Sequence, residues 1–447
     1  MECSFETRKR ELEQECVVDS GLFSEVLERI EQFMKRFSTS LVRRRQRDHA
    51  LKVVSGLCSD LERKNAESIA YHFGMDRKAI QHFIGESKWD DEPLRIELRN
   101  QIASELGSAD GVLVFDPSSF PKSGSESVGV RRQWCGRLGK IDNCQVGVYL
   151  CYVSGKGHAL VDCDLYLPKS WTENKIRMKK AGVPGHKQKY RKRRAICMEL
   201  LLRHREHLPH RWITADDELG QSTEFRRDLR EIQEQYLVAV PCNTHICDLA
   251  IPPPEFSGIG RPRVRPHLRI DKWAAKQSAE SWRQIDVRDA EKGPLMVEVL
   301  KGRVATGIRS EGGPAEETCV VIRYRDRDRG IVKQDYYLSN APESTSEVEF
   351  ASAAKAEHRV EECFDRGKGE AGMADYEVRN WTGWQHHQTL SLLASWFLNV
   401  ETRRAEKKDA RNYVQSSSRH DCIDPPCRTG MRFTPRRKTA SRETIIA

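Results

Sequence analysis

Residues Gly111–Gly124 read GVLVFDPSSFPKSG, and the first six constrain the fold most. GVLVFD is an apolar run of strand length that stops on a carboxylate. A run of this kind suits a central strand of a sheet, with Asp116 at its C-terminal end pointing into a cleft. The prolines, serines and Gly124 that follow read as a turn that carries the chain away and leaves the cleft open.

The segments on either side define the sheet's class. NCQVGVYLCYVS (143–154) and GHALVDCDLYLP (157–168) alternate like antiparallel neighbours. A charged helix is predicted over about 187–207. A strand, RWITADDELG (211–220), then ends on aspartates; a helix follows from about Ser222, and YLVAVP (236–241) is another short strand. Strands first, then strands alternating with helices, predict a mixed α/β sheet with flanking helices.

Residues 1–105 read as a helical N-terminal domain, with Leu22, Val26, Ile30 and Phe33 at helical spacing. NAESIAYHFGMDRKAIQHFIGES (65–87) has the pattern of a helix-turn-helix. Its second helix would expose Arg77, Lys78, Gln81 and His82, residue types that contact bases and phosphates, although any helical hairpin shares this pattern. Residues 106–241 form the first part of the α/β domain. Residues 242–350 read as an inserted β-rich element, 351–408 as returning helices, and 409–447 as a basic, disordered tail.

The chain has 447 residues, room for two or three domains. No stretch approaches the roughly 20 apolar residues of a membrane span. The charged start, MECSFETRKRELEQEC, has no apolar signal region, which predicts a cytoplasmic protein. The 14 cysteines lack a regular framework and are expected to be free thiols. The net charge of +9 is clustered in 179–194, 260–269 and the tail. Three such clusters point to a polyanion, with nucleic acid the expected partner.

Two aspartates, Asp116 and Asp216, end two strands of one sheet. Carboxylates about 4 Å apart repel by roughly 4 kcal/mol at an effective dielectric near 20, so a cation must offset them. Hard oxygen ligands with open positions suit Mg²⁺ or Mn²⁺. Two such ions can activate a water or a 3′-hydroxyl and stabilise the leaving oxygen of a phosphodiester. A third ligand should come from a helix beside the sheet, and Glu361 is the best candidate. Lys368 lies seven residues on and shares its face if the helix persists through Gly367; there it could hold a DNA phosphate. Asp217 and Glu362 are the rivals of Asp216 and Glu361.

FDPSSFPKSGSESVGVRRQWCGRLGKIDNCQVGVYL, WITADDELG and VEECFDRGKGEAGMADYEVRNWTGWQHHQTLSLLA resemble the three catalytic blocks of bacterial insertion-sequence transposases of the DDE superfamily. The resemblance covers about residues 20–405. It implies a ribonuclease H-like fold, a metal triad of Asp116, Asp216 and Glu361, and a β-rich insertion between the second and third acids. It further implies cleavage of the element's terminal inverted repeats, transfer of the 3′-OH to target DNA, and a homodimer that synapses the two ends at the bacterial nucleoid. Lys122 would face DNA phosphates. One branch of these enzymes carries a tyrosine–arginine–glutamate–lysine signature; Glu361 and Lys368 match it, whereas Glu357 stands at the arginine position and Ala354 at the tyrosine position. The alternatives are a ribonuclease H-like nuclease without strand transfer, and a catalytically inactive DNA-binding copy.

CNTHIC (242–247) and the histidines at 204, 207 and 210 lack partner motifs at finger-like spacing, so zinc is not expected. His386 and His387 read as core or surface residues. Trp134, Trp381 and Trp384 read as packing residues, with stacking on flipped bases the other possibility.

Overall fold

The computed structural model describes residues 25–38, 41–255, 265–289, 293–310, 313–326 and 330–417. Contacts divide the chain into Met1–Val400 and Glu401–Ala447. The first unit carries everything below apart from the end of the last helix.

Among the described residues five helices come first: α1 (Val26–Lys35), α2 (Arg44–Leu57), α3 (Ala66–His72), α4 (Arg77–Gly85) and α5 (Glu92–Leu106). Asn65 and Asp76 cap α3 and α4 by accepting backbone N–H bonds from Ser68 and Lys78. Gly74 makes the turn between them at φ 61°, a left-handed conformation that glycine adopts freely. Ile69, Ala70, Ile80 and Phe83 are buried, as the helical hairpin requires. Leu22 lies outside the described residues.

Four strands follow, β1 (Val112–Pro121), β2 (Arg131–Cys135), β3 (Lys140–Ser154) and β4 (Gly157–Leu165). Then come α6 (Lys169–Thr172), α7 (Lys175–Lys180), α8 (Arg193–His204), β5 (Trp212–Ala215), α9 (Asp217–Gly220), α10 (Thr223–Glu231) and β6 (Tyr236–Ala239). β3 is antiparallel to both β1 and β4, whereas β5 runs parallel to β1 and β6 runs parallel to β5. Spatially the order is β4-β3-β1-β5-β6, a mixed α/β, ribonuclease H-like sheet with helices on its faces.

Two expectations are corrected here. First, β1 does not stop at Asp116: it continues to Pro121, paired with β3 throughout. What stops is its other neighbour, because β5 pairs only with Val112–Phe115. The sheet therefore opens beside Asp116, and Pro117 is tolerated because it needs no partner on that side. Second, the helix expected over 187–207 is the shorter α8.

The insertion comprises β7 (His245–Asp248), β8 (Leu268–Arg269), α11 (Ile270–Ala275), β9 (Arg283–Asp289), β10 (Gly293–Ser310), β11 (Gly313–Asp326) and β12 (Gly330–Ser339). Its last strand, β12, pairs antiparallel with β6, so the central sheet runs on into the insertion without a break. It still has a small core of its own, with Ile246, Trp273, Leu300, Val304 and Leu338.

Two helices close the fold, α12 (Glu347–Gly369) and α13 (Trp381–Ser417). Ser346 and Glu349 form a capping box that starts α12. Helix α12 persists through Gly367, where a Cβ would come within 2.8 Å of Met373 Cε; glycine permits that approach. α13 extends beyond the expected limit of 408, and residues 418–447 of the tail lie outside those described. Trp381 and Trp384 are buried, as are His386 and His387.

Candidate functional site

Asp116 sits where β5 leaves the side of β1. Asp216 is the residue after β5 and the N-cap of α9; its Oδ1 accepts the Leu219 N–H at 3.0 Å, leaving Oδ2 for another partner. Its rival Asp217 is exposed on the first turn of α9. α12 packs across β1 and β5 and brings Glu361 to the same place. Its rival Glu362 is occupied elsewhere, with Arg359 at 2.7 Å and His158 at 3.1 Å.

Asp116, Asp216 and Glu361 line two adjoining cavities. The first, of about 480 Å³, adds Glu357, Asp335, Lys333, Tyr337 and His358. The second, of about 540 Å³, adds Lys368, Arg137, Arg193, Ser118 and Trp134. The acids thus stand between a recess that adds further acids and one that adds Lys368, Arg137 and Arg193 beside Asp217 and Glu218. Lys368 shares the cleft face of α12 with Glu361, as the seven-residue spacing predicts. Its ammonium lies 5.0 Å from the Phe364 ring, and burial together with Arg137 lowers its pKa against the pull of Asp116.

The carboxyls interact. Burial, then the charge of Asp216, pushes Asp116 up to about 8. Burial raises Asp216 to about 7 against the Leu219 N–H, with Glu218 and Asp217 adding to the rise. Glu357, one turn before Glu361, is pushed up to about 8 by burial and then by Asp216, Asp335 and Asp116. Its Oε2 is buried with no hydrogen-bond partner, although the Tyr337 hydroxyl reaches the carboxyl. Glu357 is thus a fourth acid of the site. In the sequence Glu357 stands only at the arginine position of the signature, yet its i−4 spacing from Glu361 places it on the same face.

Crowded, buried oxygen donors fit a hard divalent cation. Among the described residues no three His, Cys, Asp or Glu side chains are grouped so as to hold a metal ion by themselves. Mg²⁺ retains several waters and is held by one or two carboxylates, so an open set fits it. Asp116, Asp216 and Glu361, with Glu357 beside them, would hold it.

A pH dependence follows from these shifts. The three raised carboxyls keep protons in the folded protein that the unfolded chain releases near pH 4. Metal-free stability should therefore fall as pH rises from about 4 to about 8. A cation bound among them displaces those protons. Calorimetric titration with Mn²⁺ is expected to show proton release near pH 7 and an affinity that climbs between about pH 6 and pH 8; a flat profile would contradict the assignment. Glu357→Gln is expected to raise the thermal midpoint of the metal-free protein at about pH 8, by removing repulsion, and to weaken Mn²⁺ binding several-fold. An unchanged midpoint and affinity would exclude Glu357 from the cluster.

The other residues expected to touch DNA lie apart from the carboxylates. Lys122 is not in the acidic cleft. Its ammonium donates to the Tyr376 carbonyl at 2.7 Å, sits 3.4 Å from the Tyr376 ring centroid, and is lowered to about 8 by burial. It lines a different cavity, with Arg63, Asn65 and Glu377. Arg77, Lys78 and Gln81 are exposed on α4, with Arg77 paired to Glu67 at 2.8 Å. Much of the basic run 179–194 is used internally. Lys187 and Arg191 hold buried Asp164 at 2.7 and 2.9 Å, Arg194 holds Asp228 at 2.7 Å, and Arg193 pairs with Glu218. Lys179, Lys189 and Lys192 remain exposed. Residues 260–264 of the second basic run, and 418–447 of the tail, lie outside the described residues.

A family model described as DDE superfamily endonuclease matches residues 34–294. The chain belongs to that family. The matched span includes Asp116 and Asp216 and ends before Glu361. A probable transposase for insertion sequence element IS701 from Microchaete diplosiphon is 31% identical over 196 residues, 43% of this chain and 48% of that protein. The chain therefore spans about half the length of this curated relative. Among solved structures, a piggyBac transposase synaptic complex with hairpin DNA aligns over 87% of this chain and 74% of its own, at 12% identity and a TM-score of 0.38. The NurA nuclease from Sulfolobus solfataricus aligns over 60% and 80%, at 9% identity and a TM-score of 0.23. Neither structural likeness is strong enough to carry an argument.

Proposed function

We propose that this chain is the DNA transposase of an insertion sequence, cutting the element's ends and joining the freed 3′-OH to target DNA. The observation that carries the reading is the convergence of Asp116 within β1, Asp216 at the end of β5 and Glu361 on α12 on a cleft that Lys368 and Arg137 also line. The IS701-element relative supports it.

Two Mg²⁺ or Mn²⁺ ions bound there would supply Lewis acidity and an activated water or 3′-hydroxyl. The chain's own groups do the rest. Asp116 and Asp216 are held by the sheet and by the α9 cap, so their oxygens are positioned before any ligand arrives. Glu361 closes the set from α12, and Lys368, two turns on, meets a phosphate beside it. Arg137 supplies further positive charge on the DNA side of the cleft. The partners are the element's terminal inverted repeats, target DNA and a second copy of the chain that brings the two ends together. The site of action is the cytoplasm, at the nucleoid. Among the described residues no helix is long and apolar enough to cross a membrane.

The test is incubation with Mg²⁺, a duplex ending in the element's inverted repeat, and a target plasmid. Strand cleavage followed by joined products is expected. Cleavage without joining would reduce the reading to a nuclease, and no cleavage with either metal would overturn it.

A further inference from the structure

The β2–β3 hairpin puts an apolar pad on the wall of the cleft. Trp134 and Ile141 are a cross-strand pair and are 59% and 60% exposed. Leu138, in the connecting turn, is also exposed. Exposed aromatic and aliphatic groups of this size on one hairpin are not explained by packing. The hairpin itself is firmly built. Cys135, Cys144 and Val146 form a small core beneath it, Gln133 Nε2 donates to the Cys144 carbonyl at 3.0 Å, and Gly139 takes the left-handed turn position at φ 61°. Trp134 thus contributes little to holding the hairpin together.

Its surroundings select the occupant. Trp134 and Arg137 line the same cavity as Asp116, Asp216, Glu361 and Lys368. Arg132 lies two residues before Trp134, on the same strand face, and Arg131, Arg132, Arg137 and Lys140 are all exposed; besides the three acids of the site, the nearby carboxylates are Asp142, paired with Lys140 at 3.1 Å, Glu218, paired with Arg193, and exposed Asp217. An exposed aromatic ring among arginines, beside a phosphodiester-cleaving cleft, is the arrangement that holds unpaired nucleic acid: bases stack on the ring and cations meet the backbone.

We propose that Trp134, backed by Ile141, is a stacking platform for an unpaired base of the DNA strand entering the cleft, with Arg132 and Arg137 on its flanking phosphates. This rests on the functional reading above but is tested without catalysis. A short single-stranded oligonucleotide carrying 2-aminopurine is titrated into the full-length protein in Ca²⁺. Quenching of the 2-aminopurine is expected on binding, because the base stacks on the indole. Trp134→Ala should abolish the quenching and weaken binding roughly tenfold, while Trp134→Phe retains most of both. The thermal midpoint of Trp134→Ala should stay at the parent value, since the ring is exposed. Asp116→Asn should quench as the parent does, which separates the platform from the metal acids. Equal quenching by parent and Trp134→Ala, or none by the parent, overturns the platform whether or not the protein cleaves DNA. Failure of Mg²⁺-dependent cleavage with quenching intact overturns the transposase reading alone.

Discussion

Asp116→Asn is expected to lower Mg²⁺-dependent DNA cleavage by about a thousandfold or more while leaving the fold intact. A metal-bound carboxylate at the reacting phosphate is worth several kcal/mol, and each 1.36 kcal/mol is tenfold in rate. The substitution is nearly isosteric, so the packing beside Phe115 and the register with Tyr149 remain. It also mimics the neutral acid, the form that burial and Asp216 favour in the metal-free protein. Stability near neutral pH should therefore hold or rise. Cleavage rate and thermal unfolding, measured on the same preparation, check both halves. A variant that cleaves as fast as the parent would falsify the metal assignment. A variant that loses activity only by unfolding would leave Asp116 a structural residue.

Asp162→Ala is expected to give the largest loss of stability, roughly 3–5 kcal/mol, the usual cost of removing one partner from a buried ion cluster. Asp162 on β4 is fully buried. Its Oδ1 accepts from Arg95 Nη1 on α5 at 2.8 Å, and its Oδ2 meets Arg203 Nη1 at 2.9 Å and His204 Nε2 at 2.8 Å on α8. Arg95 also donates to Thr389 of α13 at 2.9 Å. One carboxylate therefore joins the N-terminal helices, the sheet and α13. Removing it strands the nearly buried Arg95 guanidinium and the partly buried Arg203, with Asp91, 2.9 Å from Arg95, the remaining counter-charge. Asp162→Asn, which keeps the shape, should lose less. Although burial opposes it, Arg95, then His204 and Arg203, hold the Asp162 carboxyl far below its ordinary value. A depressed carboxyl stabilises the fold above its unfolded value near pH 4 and loses that contribution as pH falls toward its folded value. The parent should lose this contribution progressively below about pH 4, and the variant should lack it at all pH values. Urea unfolding near neutral pH and at about pH 3 measures the difference; equal midpoints for parent and variant would refute it.

This cluster also explains why the boundary near residue 105 leaves no seam. The N-terminal helices read correctly as helices, because their periodicity is local. Their docking onto β4 through Arg95 is a contact between residues 67 positions apart, and no period announces such a pair. The same limit separates the two ends of the basic run 179–194. Its charges are visible in the chain, but their use against Asp164, Glu218 and Asp228 depends on which strand and helix ends lie opposite. Trp134 shows the reverse error. It reads as a packing residue, yet on β2 its indole is exposed.

Read alone, the residues determined the mixed sheet, the apolar strand ahead of Asp116, the second strand ending at Asp216, and the shared face of Glu361 and Lys368. These follow from periods of two and 3.6 residues and from turn chemistry, which act over a few neighbours. Tertiary structure alone decided that β1 runs past Asp116 while β5 stops. It also decided that the insertion extends the same sheet through β12 and that Glu357 joins the acids. Each of these depends on which backbone pairs with which, and on how deeply a carboxyl is buried among others. Such properties arise only when distant segments meet, because strand pairing and desolvation are set by neighbours in space.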